Sequence, residues 1–178
     1  MAEKREPRFP DGIDDSHSRP LKGLHPYASP LAFVLLGGLL SLAMLGLLGG
    51  APATKVIVDE PAASMAVKLA RPLRSGLFFE TRIHVVARQD IAKPTIGIDA
   101  VLWRDLTINS QVPSATDETF TDGQYRFSYS ALQAGETLEI KIDGQTNPPL
   151  VGRLAGAITL LDHDVRLAET HLSVLVLP

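Results

Sequence analysis

No cysteine occurs among the 178 residues, which removes disulfides, thiolate metal centres and cysteine nucleophiles from consideration. Nor is there a field of positive charge. The 17 Lys and Arg stand against 20 Asp and Glu, a net charge of −3, and they are not clustered, so nucleic acid is not an expected partner. Between Lys22 and Lys55 there is no Asp, Glu, Lys or Arg at all. Beyond residue 55 no stretch reads as an amphipathic helix; residues 64–73 come nearest and are ended by Pro72.

These gaps divide the chain into three parts. Residues 1–25 hold five positive and five negative side chains, three prolines and no apolar period, the composition of a disordered polar tail. Residues 31–48, LAFVLLGGLLSLAMLGLL, form an 18-residue run broken only by Gly and one Ser. No helical offset gives this run a polar face, so it reads as a transmembrane helix over about residues 26–51. Tyr27 suits the interface with the headgroups, and Pro26 and Pro30 suit a helix start.

Ala51-Pro52-Ala53 is similar to the small-residue pattern ahead of a signal-peptidase site. The long apolar run and the polar residues before it favour an uncleaved signal anchor. A short leading tail with a large trailing domain predicts the N-terminus in the cytoplasm and the C-terminal domain outside it, periplasmic or extracellular. Gly37 and Ser41, like Gly46 and Gly50, are spaced four apart. Small residues at that spacing let two helices approach closely, so Gly37 and Ser41 are candidates for homo-oligomeric association. Residues 52–63, rich in Ala and Pro, read as a short linker holding the domain near the lipid bilayer.

From Lys55 the apolar period changes to two, and residues 64–178 read as a β-sandwich domain. In 77–88, Phe79, Thr81, Ile83, Val85 and Ala87 face one way, while Glu80, Arg82, His84 and Arg88 face the other. The same alternation is found in 124–129, 137–143 and 171–177, and more weakly in 56–58, 65–69, 95–102, 106–112 and 157–161. Asp122-Gly123, Asp143-Gly144 and Ala134-Gly135-Glu136 supply turn chemistry, and Pro94, Pro113 and Asn147-Pro148-Pro149 interrupt central strands. Eight or nine short strands without intervening helices predict an all-β, immunoglobulin-like antiparallel sandwich behind the N-terminal helix.

The stretch Tyr125-Arg-Phe-Ser-Tyr-Ser-Ala-Leu-Gln-Ala-Gly-Glu-Thr-Leu-Glu-Ile140, with the closing Val174-Leu-Val-Leu-Pro178, resembles bacterial immunoglobulin-like adhesion and envelope modules. Arg104-Asp-Leu-Thr-Ile-Asn109, Asn147-Pro148 and Val151-Gly152-Arg153 are similar to segments of bacterial single-pass membrane proteins of the same layout. The resemblance covers about residues 77–178. It implies architecture and a place in the cell envelope, and no catalytic residues.

The search for chemistry is mostly negative. Asp162-His163-Asp164 is the most metal-like cluster, yet adjacent strand residues point to opposite faces and the segment lies where a hairpin tip is expected. His84 and His171 read as solvated or cross-strand paired. One methionine in the domain, Met65, argues against copper handling. There is no Gly-x-Ser-x-Gly elbow and no phosphate-cradling glycine loop. Asp117-Glu118 reads as a loop pair without the apolar surroundings that raise a carboxyl pKa.

No catalytic residue, metal or cofactor is therefore expected. Trp103, Arg104 and Asp105 are the candidate interface, because Trp beside Arg is a frequent pairing at protein contacts. If strand register continues from Ile96 and Ile98, Trp103 faces outward; a core position between the sheets is the alternative. The expected function is a non-catalytic interaction or scaffolding module whose partner is another membrane or envelope protein. The alternative is an envelope protein binding a small ligand or metal, for which three or more side chains would have to converge near residues 162–164.

Overall fold

The computed structural model describes residues 25–48 and 53–178, with side chains described from Ser29 onward. The expected polar tail, the possible cleavage site and Gly50 lie outside the described residues, apart from His25 and Ala53. The chain divides into two compact units, residues 1–41 and 42–178.

The first element is a helix, α1 (His25–Met44), with Pro26 in its first turn and Pro30 inside it. It therefore begins ahead of both prolines rather than at either. Leu31, Phe33, Val34, Leu35, Leu36, Leu39 and Leu40 are all exposed, which makes every face of the helix apolar. The Ser41 hydroxyl donates to the Gly37 carbonyl at 2.7 Å, one turn back.

The helix stops short of the expected residue 51. Gly46 takes φ +72°, its N–H bonds the Ala43 carbonyl at 2.9 Å, and the Leu47 N–H bonds the Leu42 carbonyl at 3.0 Å. That pair of bonds is a Schellman end, which glycine makes accessible by tolerating positive φ. Gly46 is thus a terminator and does not belong to a helical Gly46/Gly50 pair. Among the described residues no helix is long and apolar enough to cross a membrane.

Among the described residues the second unit contains eleven strands. They are β1 (Thr54–Asp59), β2 (Ala63–Leu69), β3 (Leu73–Arg74), β4 (Phe78–Ala87), β5 (Pro94–Asp99), β6 (Leu106–Val112), β7 (Asp117–Thr121), β8 (Gln124–Ser128), β9 (Thr137–Thr146), β10 (Gly152–Asp162) and β11 (Val165–Leu177). A one-turn helix, α2 (Ala100–Trp103), follows β5.

The strands make two sheets, ordered β1-β2-β4-β9-β6 and β3-β11-β10-β5-β8-β7. All pairings are antiparallel except β3 with β11. The inner faces meet over Met65, Ile83, Val85, Ile140 and Ile142 of one sheet and Ile96, Ile98, Leu160, Leu172, Val174 and Val176 of the other. The two-layered, almost wholly β architecture follows from the period-two pattern, since each strand has one apolar face to hide.

The alternation in 77–88 is reproduced residue by residue: Phe79, Thr81, Ile83, Val85 and Ala87 are buried, and their neighbours are not. Leu138, Ile140 and Ile142, and likewise Leu172, Val174 and Val176, also face inward. Four features depart from expectation, the first being that Asp143-Gly144, expected to make a turn, lies inside β9. β1 occupies half of the segment 52–63 expected as linker, includes the weak strand candidate 56–58 and pairs with β2 through six residues, so the sheet begins at Thr54 rather than at 64. Residues 95–102 do not form one strand, because β5 ends at Asp99 and turns into α2. Finally, Asp117-Glu118 belongs to a strand, β7, and not to a loop.

Candidate functional site

Where β5 gives way to α2, the responsible group is the Asp99 carboxylate. It accepts the Ala157 N–H at 2.7 Å and the Gln124 side-chain amide at 2.9 Å. The register of β5 with β10 ends at Ile98 and Ile158, so the next N–H of β10 is satisfied by a side chain instead of a continuing backbone ladder. Gly156 supplies the room. A Cβ there would lie 2.9 Å from Leu102 and 3.0 Å from the Asp99 side chain.

The turn of helix buries Leu102 and swings Trp103 out of strand register. Trp103 ends half-buried, its ring 6.0 Å from that of Phe127 at 60°. The residue is neither the outward contact nor the core plug that register alone offers. It is a wall. With Arg104, Leu106, Ile108 and Gln111 on one side, and Glu118, Phe120, Tyr125 and Phe127 on the other, it lines an open groove of about 640 Å³.

The groove lies where the sandwich fails to close. β6 is the last strand of its sheet and β7 the last of the other, so both flanks are unpaired edges. Gln111 of β6 reaches across to donate to the Tyr129 hydroxyl at 2.8 Å. Burial pushes the Tyr129 hydroxyl pKa well up, the Gln111 donor opposes this, and the negative charge of Glu118 adds to the rise.

β7 and β8 form a hairpin around Asp122 (φ 54°) and Gly123 (φ 76°), paired without interruption from Thr121–Gln124 to Asp117–Ser128. Phe120 and Tyr125 stand opposite each other with ring centroids 4.9 Å apart, and Phe120 remains 59% exposed. Of the hairpin's three acidic side chains, Asp117 pairs with Lys93 at 3.3 Å and Asp122 with Arg126 at 3.0 Å. Glu118 has no ion-pair partner among the described residues.

Of the residues singled out in the sequence, Trp103 and Arg104 therefore reach the groove. Asp105 does not line it and instead holds the exposed Arg104 side chain at 3.2 Å. Phe120 and Gln111 were not singled out in the sequence, and Glu118 was read there as part of a loop pair without a role. The signal that could have placed Phe120 and Glu118 is the Asp122-Gly123 turn: a two-residue hairpin loop with Tyr125 after it calls for a strand of matching length before it.

The Asp162-His163-Asp164 segment is the β10–β11 hairpin tip, with His163 at φ 54°. Its carboxylates are spent in different directions. Asp162 accepts the Lys93 N–H at 2.8 Å and lies 3.1 Å from the His163 ring, whereas Asp164 accepts from Arg126 at 2.8 Å. The Lys93 amide, followed by that of Ala92 and by His163, holds the Asp162 carboxyl below its ordinary value of 3.8. Exposed His171 lies 3.8 Å from Glu169, and half-buried His84 stands opposite Glu139 across the β4–β9 pair. Among the described residues no three His, Asp or Glu side chains are grouped as a metal would need.

No known family profile and no curated protein matches the chain. Among solved structures it is similar to the CARDB domain of a Pyrococcus furiosus protein in solution. That likeness has 12% identity and a TM-score of 0.43, and spans 67% of this chain and 98% of that one. The same domain crystallised with di-metal ions gives 13%, 0.42, 70% and 95%. An exo-β-N-acetylglucosaminidase from Vibrio harveyi, in complex with N-acetylglucosamine, matches at 14% and 0.28 over 71% of this chain but only 18% of its own.

Proposed function

We propose that this chain is a non-catalytic interaction module, a sandwich of immunoglobulin-like type, tethered to a membrane by α1 and contacting another envelope or membrane protein through the groove between β6 and β7. One observation carries the tether: consecutive side chains Phe33, Val34, Leu35 and Leu36 are all exposed, so no rotation of α1 offers water a polar face. The internal bond from Ser41 to Gly37 gives the Ser41 hydroxyl a partner within the helix. Gly37, with open space where a Cβ would be, and Ser41 offer a close-approach face for a second copy of the helix.

The groove supports the contact role because it gathers Trp, Phe, Tyr and Arg, the side chains favoured at protein contacts, around an incompletely closed edge. The domain faces away from the cytoplasm in this reading. Fractionation tests the tether: the full chain is expected to stay with membranes through an alkaline wash and to need detergent for release. Recovery in the soluble fraction overturns it. Reporter fusions at the C-terminus test orientation, the expected result being an inactive cytoplasm-dependent reporter.

A further inference from the structure

The free edge of β7 differs from that of β6. β6 carries a register shift between Ile108 and Ser110 and runs into Pro113, the devices that blunt a sheet edge. β7 has neither, and its five-residue register with β8 is unbroken. The direction of its backbone groups can be worked out. Tyr129 N–H bonds the Pro94 carbonyl, on the β5 side, while the Ser128 carbonyl accepts the Thr116 N–H, on the β7 side. Alternation along β8 then places residues 124, 126 and 128 in the bonds to β7, opposite Thr121, Thr119 and Asp117. Glu118 and Phe120 are left with their N–H and C=O groups pointing away from the sheet, and their side chains fall on the groove side with Tyr125 and Phe127.

From this geometry we infer that β7 receives an added strand: an extended segment of another polypeptide that presents on one face an apolar residue opposite Phe120 and, two residues away, Lys or Arg opposite Glu118. Charge complementarity chooses the occupant. Asp117 pairs with Lys93, and Asp122 shares Arg126 with Asp164, whereas Glu118 has no cation among the described residues, and a second copy of β7 would bring further acid against acid. Backbone bonds from Glu118 and Phe120 set register, an apolar side chain enters the groove over Phe120 and Trp103, and the cation meets Glu118. A short acidic edge alone is an ordinary way to keep a sheet from pairing. The large exposed aromatic beside a groove of about 640 Å³ is what that explanation leaves over. This inference rests on the interaction-module reading and names the class of partner.

Trp103 is the only tryptophan in the chain and lines the groove, so its fluorescence reports occupancy. The full chain in nanodiscs of neutral lipid is titrated with the synthetic peptide Thr-Lys-Thr-Phe-Thr-Val-Thr, whose Lys, Phe and Val share one face, with its Glu-for-Lys counterpart, and with a form N-methylated at alternate amides. The lysine peptide is expected to shift the emission saturably. Glu118→Lys weakens it about tenfold or more and restores binding to the glutamate peptide; N-methylation weakens it to a similar degree. Affinity indifferent to both charge reversal and N-methylation overturns strand addition. So does the absence of a saturable response to any peptide. Neither result touches the tether, which the alkaline wash tests separately; cross-linking from position 120 to a membrane protein in native membranes would keep the module reading alive while the added strand fell.

Discussion

Gly144 stands opposite Phe79 in the β4–β9 register, and the two are matched by size. A Cβ at 144 would lie 2.7 Å from the Phe79 ring and 2.9 Å from the Thr107 carbonyl oxygen, and a backbone atom in a paired strand has nowhere to go. Gly144→Ala is expected to cost about 2 kcal/mol in urea unfolding, with part recovered when Phe79→Leu is added. Asp162 allows a pH argument. Its folded pKa is lowered, so the unfolded carboxyl binds a proton first as pH falls. The stability it contributes is present above about pH 4 and is lost below it. Asp162→Asn should cost about 1 kcal/mol near neutrality, and the gap from wild type should close in acid. Either substitution leaving the unfolding midpoint untouched would contradict these contacts.

At the scale of elements, the β7–β8 hairpin depends on Asp122 and Gly123 adopting positive φ. Open space surrounds a Cβ at Gly123, so Gly123→Ala carries only the backbone term, about 1 kcal/mol. Amide exchange at Thr119 and Thr121, which bond back to β8, should accelerate before that of β4 or β9. For α1, a Gly37→Leu/Ser41→Leu pair is expected to reduce self-association in detergent; an unaltered oligomeric state would remove that role.

The strands easiest to read in the sequence were those with one wet face, such as β4, because alternation survives there undiluted. β5 is buried from Pro94 to Ile98 on both faces, so its pattern carries no phase with which to detect the turn into α2. β7 is exposed throughout and has no apolar period at all. The groove is built from those two transitions, which is why Trp103 could be named in advance while Phe120 could not and Glu118 was placed in a loop.

On the scale of the whole molecule, the last strand is central in space. β11 lies between β10 and β3, and Leu172, Val174 and Val176 are buried in the shared core. Burying three such side chains is worth about 2 kcal/mol each, against the 5–15 kcal/mol that a whole domain has in hand. Removing residues 172–178 should therefore abolish cooperative thermal unfolding, whereas a tag appended after Pro178 should be tolerated. The Arg74 guanidinium grips the Pro178 carbonyl at 3.0 and 3.2 Å across 104 residues of sequence. Such a long closure makes completion of the second sheet a late and slow event. Until residues 165–177 emerge, the edge of β10 that β11 will occupy stands bare and sticky. A chain whose preceding segment is already apolar thus has an interval during synthesis in which that bare edge is open to premature encounters, the kind of exposure that chaperones cover.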